Sequence, residues 1–164
     1  MGKDSKQEDP EYKARSVALR LLARREHSRY ELSLKLRQRK IGKNVIDLVL
    51  DDYEKEGWLN DARFADIYAR QRMDVGYGPL RIMAELQQRG VHQSPECLAE
   101  MSDADWCRLA AQLRDKRFGL DSVSNDLQEK LRQARFLARR GFSSAQVEKA
   151  LNMDDLDEVW AIDG

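Results

Sequence analysis

One short pattern occurs three times in this 164-residue chain and constrains its fold more than any other feature of the sequence. It consists of a leucine, two variable residues, an arginine, a lysine or glycine, and an apolar residue. The copies are Leu36-Arg37-Gln38-Arg39-Lys40-Ile41, Leu86-Gln87-Gln88-Arg89-Gly90-Val91 and Leu137-Ala138-Arg139-Arg140-Gly141-Phe142, whose leucines lie 50 and then 51 residues apart. Each copy is typical of a helix end, with a buried leucine, an arginine at the negative end of the helix dipole, a left-handed residue and an apolar residue that folds back.

Signals for helix starts lie between these ends. Ser28 with Glu31, and Ser143 with Gln146, have the spacing of capping boxes, in which side chains satisfy free backbone amides. Further starts are expected at Asn44, Pro79, Ser94 and Pro95, and stops at Gly57, Gly76, Gly90, Gly119 and Gly141. Together these signals predict helices over 11–26, 28–40, 44–56, 61–75, 79–89, 95–101, 103–117, 124–140 and 143–152.

The pattern and the helices predict an all-α fold of three tandem three-helix repeats that form an elongated, curved body. Units of this size rarely bury enough apolar surface alone, so neighbouring repeats are expected to pack in series. The predicted segments are a flexible N-terminus (1–11), three repeats (12–56, 57–101 and 102–152) and an acidic C-terminal tail (153–164). The composition agrees, because only 9 Gly and 3 Pro interrupt the helix-forming residues.

The compartment follows from what the sequence lacks. Two cysteines, Cys97 and Cys107, are too few for a disulfide framework. The first residues contain no apolar core of a signal peptide, and no apolar run approaches the roughly 20 residues that span a bilayer. We therefore expect a cytoplasmic protein with no membrane segment.

The charges are balanced in number but separated along the chain. Lys+Arg and Asp+Glu are 29 each, yet the stretch from Lys13 to Lys43 contains eleven basic residues and only two acidic ones. Basic residues return on the matching parts of the second and third repeats, where they are expected to align into one cationic stripe. We predict that this stripe binds an acidic or polyanionic partner. Its predicted residues are Arg24, Arg25, Arg37, Arg39, Arg81, Arg89, Arg132, Arg139 and Arg140.

No arrangement typical of an enzyme is found, so no catalytic residue, cofactor or metal is predicted. A phosphate-binding loop with its lysine is absent, and the cysteines and histidines lack the spacing of a zinc site. Asp51-Asp52 and Asp154-Asp155 should point apart along their helices and form solvated acidic faces. The protein is expected neither to hydrolyse ATP nor to cut DNA.

Two further expectations concern single residue types. His27 precedes the cap at Ser28 and is expected at the surface or in the capping region. The aromatic residues lie beside helix ends or at helical spacing, so most of them are expected in the core rather than as stacking platforms for bases. They are Trp58, Phe64, Tyr68, Trp106, Phe118, Phe136, Phe142 and Trp160.

Several ordered segments along the chain are specific as a set. They include Ala18-Leu19-Arg20-Leu21-Leu22-Ala23-Arg24-Arg25-Glu26-His27-Ser28, Gly57-Trp58-Leu59-Asn60-Asp61-Ala62-Arg63-Phe64-Ala65, Gly76-Tyr77-Gly78-Pro79-Leu80-Arg81-Ile82 and Arg135-Phe136-Leu137-Ala138-Arg139-Arg140-Gly141-Phe142. Together they resemble the RecX family of RecA regulators, and the resemblance spans about residues 12–152. One departure is Lys40, which replaces the glycine of the other two repeats and is expected to shift that helix end toward Gly42.

The resemblance implies a negative regulator of RecA in DNA repair, homologous recombination and the SOS response. Such a protein inserts into the groove of the RecA–DNA filament and limits its ATPase, strand-exchange and coprotease activities. The partner would then be the RecA filament, with weaker binding to single- or double-stranded DNA, and the regulator is expected to act as a monomer.

A second hypothesis stays open, namely a sequence-independent DNA binder that competes with RecA for DNA. The neutral net charge favours a protein partner, since DNA-first binding predicts tight, steeply salt-dependent association with bare DNA. The sequence does not define which RecA residues are contacted, whether the filament is capped or its groove blocked, or whether another regulator opposes the effect.

Overall fold

All the elements of the described chain are α-helices. A computed structural model describes residues 9–161 and contains no strand within them, so the predicted all-α class is confirmed. The helices are α1 (Pro10–Arg24), α2 (Arg29–Gln38), α3 (Lys43–Lys55), α4 (Asp61–Val75), α5 (Pro79–Gln88), α6 (Glu96–Ala99), α7 (Asp103–Phe118), α8 (Leu127–Arg139), α9 (Ser144–Leu151) and α10 (Leu156–Val159). No helix within residues 9–161 combines the length and the apolar character needed to cross a bilayer.

The helices belong to two compact units. Unit 1 contains the residues up to Ile67 together with Leu86–Gln93, and unit 2 contains Tyr68–Glu85 together with the residues from Ser94 onward. The division falls within α4 and α5, so the second predicted repeat supplies residues to both units. The boundaries predicted for the three repeats stay predictions.

The three copies of the sequence pattern form the same helix end. The amides of Ile41, Val91 and Phe142 donate to the carbonyls of Leu36, Leu86 and Leu137, at 3.3, 2.9 and 3.3 Å. The residue before each of these apolar positions has a positive φ, which completes a Schellman motif. All three leucines are completely buried, as the sequence predicts.

The expected shift of the first helix end is wrong. Lys40 itself adopts the left-handed conformation, with φ 64°, while Gly42 has φ −69° and becomes the N-cap of α3. Helix α2 therefore ends at the same point of the pattern as α5 and α8. Lys40 is exposed to solvent, so a side chain is accommodated there at the cost of backbone strain.

The glycines at the other two ends are required by the neighbouring repeat. In unit 1 the Ser28 hydroxyl donates to the carbonyl of Arg89 at 2.7 Å, and a Cβ on Gly90 would overlap the side chain of Tyr30. In unit 2 the contact recurs with different residues. The amide of Gly78 donates to the carbonyl of Arg140 at 2.7 Å, and a Cβ on Gly141 would overlap Arg81. The start of one repeat's second helix thus packs on the end of the next repeat's second helix.

Of the four predicted N-cap residues, two are confirmed and two are wrong. Ser28 and Ser143 each form a complete capping box, with Glu31 and Gln146 respectively. Asn44 lies inside α3 instead of capping it, because the chain already enters the helix at Lys43. Ser94 also lies one residue too early, since Pro95 is the N-cap of α6. An unpredicted capping box at Ser102 begins α7.

Ion pairs between α1, α2 and α3 hold unit 1 together around its apolar core. Arg15 binds Asp52 at 2.6 Å, and the Tyr53 hydroxyl donates to the carbonyl of Arg15 at 3.0 Å. Arg29 contacts three carboxylates of α3, those of Asp47, Asp51 and Glu54. Neighbouring Asp51 and Asp52 point apart, as expected, but each binds an arginine and is not simply solvated.

A buried arginine organises unit 2. Arg114 of α7 is completely buried, and burial lowers the pKa of its guanidinium. Its donors meet neutral oxygens: the Gln133 side chain at 2.7 Å, the Asp121 carbonyl at 2.7 Å and the Met153 carbonyl at 3.2 Å. One side chain therefore ties α7 to α8, to the loop after α7 and to the end of α9.

Both predicted terminal segments are partly structured. Asp9 caps α1, which begins at Pro10 because proline suits the first helical position. Within the predicted acidic tail, Val159 of α10 is completely buried. Its backbone carbonyl accepts a hydrogen bond from the side-chain amide of Gln112 at 2.9 Å. Residues 1–8 and 162–164 of these predicted segments lie outside the described residues.

We predict that the three pattern leucines contribute alike to stability. Leu36→Ala, Leu86→Ala and Leu137→Ala should each lower the free energy of unfolding by about 2–5 kcal/mol, because each leaves a cavity in a packed core. Leu48→Ala is the control, since that α3 side chain is 50% exposed and its loss should change stability by less than about 0.5 kcal/mol. Urea unfolding measures both, and a pattern leucine that matches the control would contradict the equivalence.

The left-handed positions give a second prediction. Lys40→Gly should raise the free energy of unfolding by about 1 kcal/mol, because it relieves strain at a positive φ without removing a buried contact. Gly141→Ala should lower it, because the new Cβ would be strained and would overlap Arg81. Thermal unfolding of the two variants should therefore give shifts of opposite sign, and shifts of the same sign would refute this account of the helix ends.

Candidate functional site

The nine arginines predicted to form one stripe lie in two units. Unit 1 contains Arg24, Arg25, Arg37, Arg39 and Arg89, and unit 2 contains Arg81, Arg132, Arg139 and Arg140. Each group is described within its own unit, and the single stripe stays a prediction. Within unit 2, the structure brings all four predicted arginines to one cavity.

The contact between successive repeats positions this cavity. The amide of Leu80 donates to the Gly141 carbonyl at 3.0 Å, beside the bond from Gly78 to Arg140. The start of α5 is thereby held against the end of α8, and Arg81 reaches the carbonyl of Arg139 at 3.2 Å. Side chains far apart in sequence become neighbours because their backbones are hydrogen-bonded.

Arginines and aromatic rings alternate along the cavity. From one end to the other, the order of contacts is Arg81, Tyr77, Arg140, Phe136, Arg117, Phe118 and Arg132. The guanidinium carbons lie 4.1, 5.0, 5.3, 4.9, 5.8 and 5.0 Å from the successive ring centroids. Contacts of this kind are typically worth about 0.5–1 kcal/mol at exposed sites. We call these seven residues the arginine–aromatic cluster.

Carboxylates balance only part of this charge. Glu129 binds Arg132 at 2.9 Å, and Glu85 binds both Arg72 at 2.8 Å and Arg81 at 3.2 Å. Burial acts to raise the pKa of Glu85, but hydrogen bonds from Arg72, Tyr68 and Arg81 hold it below its ordinary value. Glu85 is therefore a firmly charged carboxylate that positions Arg72 and Arg81.

Two arginines of the cluster have no acidic partner among the described residues. Arg117 contacts the rings of Phe118 and Phe136, and Arg140 contacts the rings of Tyr77 and Phe136. The cavity that they share with Arg81, Arg132 and Arg139 has a volume of about 390 Å³. It is therefore a cationic cavity within the size range of ligand pockets.

Sequence reasoning missed Tyr77, Arg117, Phe118 and Phe136 as parts of this site. The expectation that most aromatic residues lie in the core is wrong, because only Phe64, Trp106 and Phe142 of the eight are buried. Phe118 and Phe136 are only half-buried, and each ring contacts guanidinium groups as well as the other ring. A signal was present, since Arg132, Phe136 and Arg140 follow one another at intervals of four and share one face of a helix.

Unit 1 has a smaller basic cavity of about 350 Å³ beside the end of α1. Its lining residues are Leu21, Arg24, Arg25, His27 and Lys35. Arg25 binds Glu31 at 3.1 Å, and the Arg89 guanidinium lies 3.9 Å from the same carboxylate. Burial acts to raise the pKa of Glu31, but hydrogen bonds from Arg25 and from the Ser28 amide lower it. This carboxylate therefore neutralises two of the predicted arginines.

Three predicted arginines of unit 1 are exposed and lack an acidic partner within residues 9–161. They are Arg24, at the end of α1, and Arg37 and Arg39, at the end of α2. The same unit provides carboxylates for Arg15 and Arg29, so its acidic residues are used to join helices and not to cover this surface. We call Arg24, Arg37 and Arg39 the exposed arginines of unit 1.

His27 lies in the capping region, one of the two predicted places, and it is buried there instead of lying at the surface. Its side chain is 2% exposed, and Nδ1 lies 3.1 Å from the carbonyl oxygen of Arg25. Burial lowers the pKa of His27, partly opposed by this hydrogen bond, and the positive charges of Arg25 and Lys35 lower it further. The folded protein therefore favours the neutral imidazole.

We predict that His27 makes stability depend on pH in the weakly acidic range. The unfolded chain takes up the proton near the ordinary histidine pKa of about 6.5, whereas the folded chain resists it. Stability should therefore be complete above that pH and decline as the pH falls toward the lower folded pKa. His27→Gln should reduce this decline in urea unfolding, and His92→Gln, at an exposed position, should keep it. An unchanged decline in the His27 variant would contradict the prediction.

Comparisons with known proteins divide the chain in the same way as its repeats. The first three-helix domain of RecX matches residues 14–52, the second matches residues 60–94 and the third matches residues 103–151. These domains follow in order along the chain, and each includes one copy of the Leu-x-x-Arg pattern. The three tandem three-helix units predicted from the repeats are therefore confirmed.

Relatives of this chain are named as regulators. The regulatory protein RecX of Halorhodospira halophila is 44% identical over 145 residues, which cover 88% of this chain and 89% of that protein. The regulatory protein RecX of Pseudomonas entomophila is 40% identical over 144 residues, covering 87% and 92%. The crystal structure of RecX from Lactobacillus salivarius has the same fold, with a TM-score of 0.74 at 22% identity over 88% of this chain and 96% of that one. On the strength of its domains and of these relatives, this chain belongs to the RecX family of regulatory proteins.

Proposed function

We propose that this protein is a negative regulator of RecA that binds the groove of the RecA–DNA filament and limits its ATPase, strand-exchange and coprotease activities. The observation that carries the proposal is the set of exposed arginines of unit 1. Among residues 9–161, Arg24, Arg37 and Arg39 have no carboxylate within ion-pair distance, whereas Arg15 and Arg29 of the same unit bind carboxylates of α3. Exposed charges of this kind contribute little to the stability of the fold, so these arginines can form ion pairs with a partner instead.

The repeated architecture suits a partner that is itself repetitive. Successive three-helix units present related side chains at related places, and a filament presents the same surface on each of its subunits. A protein that contacts neighbouring subunits at once would restrain their relative movement. ATP turnover and strand exchange would then fall together, without any catalytic group on the regulator. We also propose that it acts as a monomer in the cytoplasm, where the filament forms.

Competition for DNA is the alternative mechanism, and the balance of charge favours a protein partner over bare DNA. Unit 1 offers exposed arginines on only a few positions, and the net charge of the chain is zero. A protein that relied on DNA phosphates alone would need many such contacts, and its affinity would fall steeply with salt. Binding to bare DNA, to RecA and to the filament, compared at one salt concentration, separates the mechanisms.

We predict that Arg37→Glu with Arg39→Glu weakens inhibition of the RecA ATPase while leaving the fold intact. Both residues are exposed and form no ion pair with the part of the chain that the structure describes, so helicity and melting temperature should be unchanged. Inhibition by the wild-type protein should also fade as added salt shortens the screening length from about 10 Å to about 3 Å. ATP hydrolysis by preformed filaments measures both effects.

The control reverses two other charges of unit 1. Lys43→Glu with Lys55→Glu makes the same change in net charge at exposed positions of α3, outside the predicted stripe. This variant should inhibit like the wild type. Equal loss in both variants would mean that net charge alone matters. A folded Arg37/Arg39 variant that inhibits fully would exclude these arginines from the binding surface.

A further inference from the structure

The cationic cavity of unit 2 has more charge than its neighbours neutralise. Its lining contains five arginines around one volume of about 390 Å³. Glu129 compensates Arg132, and Glu85 is shared between Arg81 and Arg72. The positive charges of Arg117, Arg139 and Arg140 have no carboxylate within ion-pair distance in the described part of the chain. Their mutual repulsion in one small space would be relieved by a bound anion.

Stacking on the rings holds these arginines in orientations that suit the binding of an anion. Arg140 lies over Tyr77 and Phe136, and Arg117 lies over Phe136 and Phe118. A guanidinium that stacks on a ring keeps its N–H groups in its own plane, where they remain free to donate. Planar pairs of N–H donors match the oxygens of phosphate and bind them two at a time. The rings of Phe118 and Phe136 meet edge to face, with their centroids 5.4 Å apart, and this contact helps to fix the positions of the stacked arginines.

From this geometry we propose that the cavity binds a compact oligophosphate, namely the triphosphate group of a nucleotide. The proposal goes beyond regulation of a recombinase and does not depend on it. The volume of the cavity lies within the range of small-molecule sites. The binding residues are Arg81, Arg117, Arg132, Arg139 and Arg140, with Tyr77 and Phe136 as positioning residues.

The density of charge favours linked phosphates over other anions. A carboxylate brings a single charge, and the phosphates of a nucleic-acid backbone are separated from one another by sugars. A triphosphate concentrates several charges on adjoining groups, which matches several guanidiniums around one small volume. The rings already contact arginines, so they offer little surface for stacking on a base. Binding should therefore depend on the phosphates and be indifferent to the base.

Calorimetric titration of the intact protein at low salt tests the proposal. ATP and inorganic tripolyphosphate should bind with similar affinity, and adenosine, which has no phosphate, should not bind. Arg117→Ala with Arg140→Ala should weaken both phosphate ligands by about tenfold or more, because it removes two charge-assisted contacts. Arg20→Ala with Lys55→Ala is the control, since it removes two exposed basic residues that do not line this cavity, and it should change affinity by less than about twofold.

A charge-preserving variant keeps the test decisive if the alanine variant unfolds. Arg117→Lys with Arg140→Lys retains both charges but loses the planar pairs of donors, so it should bind more weakly than the wild type and should remain folded. Circular dichroism and thermal unfolding check every variant. Affinity equal to that of the wild type in a folded lysine variant would overturn the bidentate arrangement and with it the proposal.

Other outcomes would also overturn it. One is the absence of binding by ATP and tripolyphosphate at millimolar concentration, and another is an equal loss of affinity in the control pair. A third is a single-stranded oligonucleotide that binds more tightly than tripolyphosphate and loses that advantage in the Arg117/Arg140 alanine variant. That result would assign the cavity to a nucleic-acid backbone.

Discussion

In both units, the backbone carbonyl of an arginine accepts a hydrogen bond from the preceding repeat, and the residue after that arginine is a left-handed glycine. Much of this structure depends on this contact. Arg89 accepts from the Ser28 hydroxyl in unit 1, and Arg140 accepts from the Gly78 amide in unit 2. The bond forms only if two backbones approach closely, which is why the next residue is glycine in both places. Its partner is the N-cap of the preceding repeat's second helix, so the signal that begins one helix also joins it to the next repeat.

This contact explains why the functional residues of unit 2 come together although they are distant in sequence. Holding the start of α5 against the end of α8 places Arg81 beside Arg139 and brings Tyr77 to Arg140. Packing of α7 and α8, with Arg114 hydrogen-bonded to Gln133, brings Phe118 to Phe136. The cationic cavity is therefore a product of repeat packing and not of a local motif.

Features that depend on neighbouring residues in the sequence could be predicted, and features that depend on the packing of distant helices could not. The helix ends were predictable because a buried leucine, a left-handed residue and a folded-back apolar residue lie within six positions of one another. The four predicted arginines of the cavity were identified from the repeat, but Arg117 and the rings were not, since their roles arise only when α7 packs on α8. His27 was placed correctly in the capping region, but its burial was not predicted, because burial depends on tertiary packing and not on the position before a cap.

One residue type performs three different tasks here, and the surroundings of each arginine decide which. Arg114 is enclosed by carbonyl oxygens and is committed to the core, so its charge is hidden from any partner. Arg29 forms ion pairs with three carboxylates of α3, which neutralise its charge and join α2 to α3. Arg117 and Arg140 meet rings, which hold the guanidinium without neutralising it. Because a ring fixes an arginine and leaves both its charge and its N–H donors available, the arginine–aromatic cluster is the part of unit 2 best suited to bind an anion.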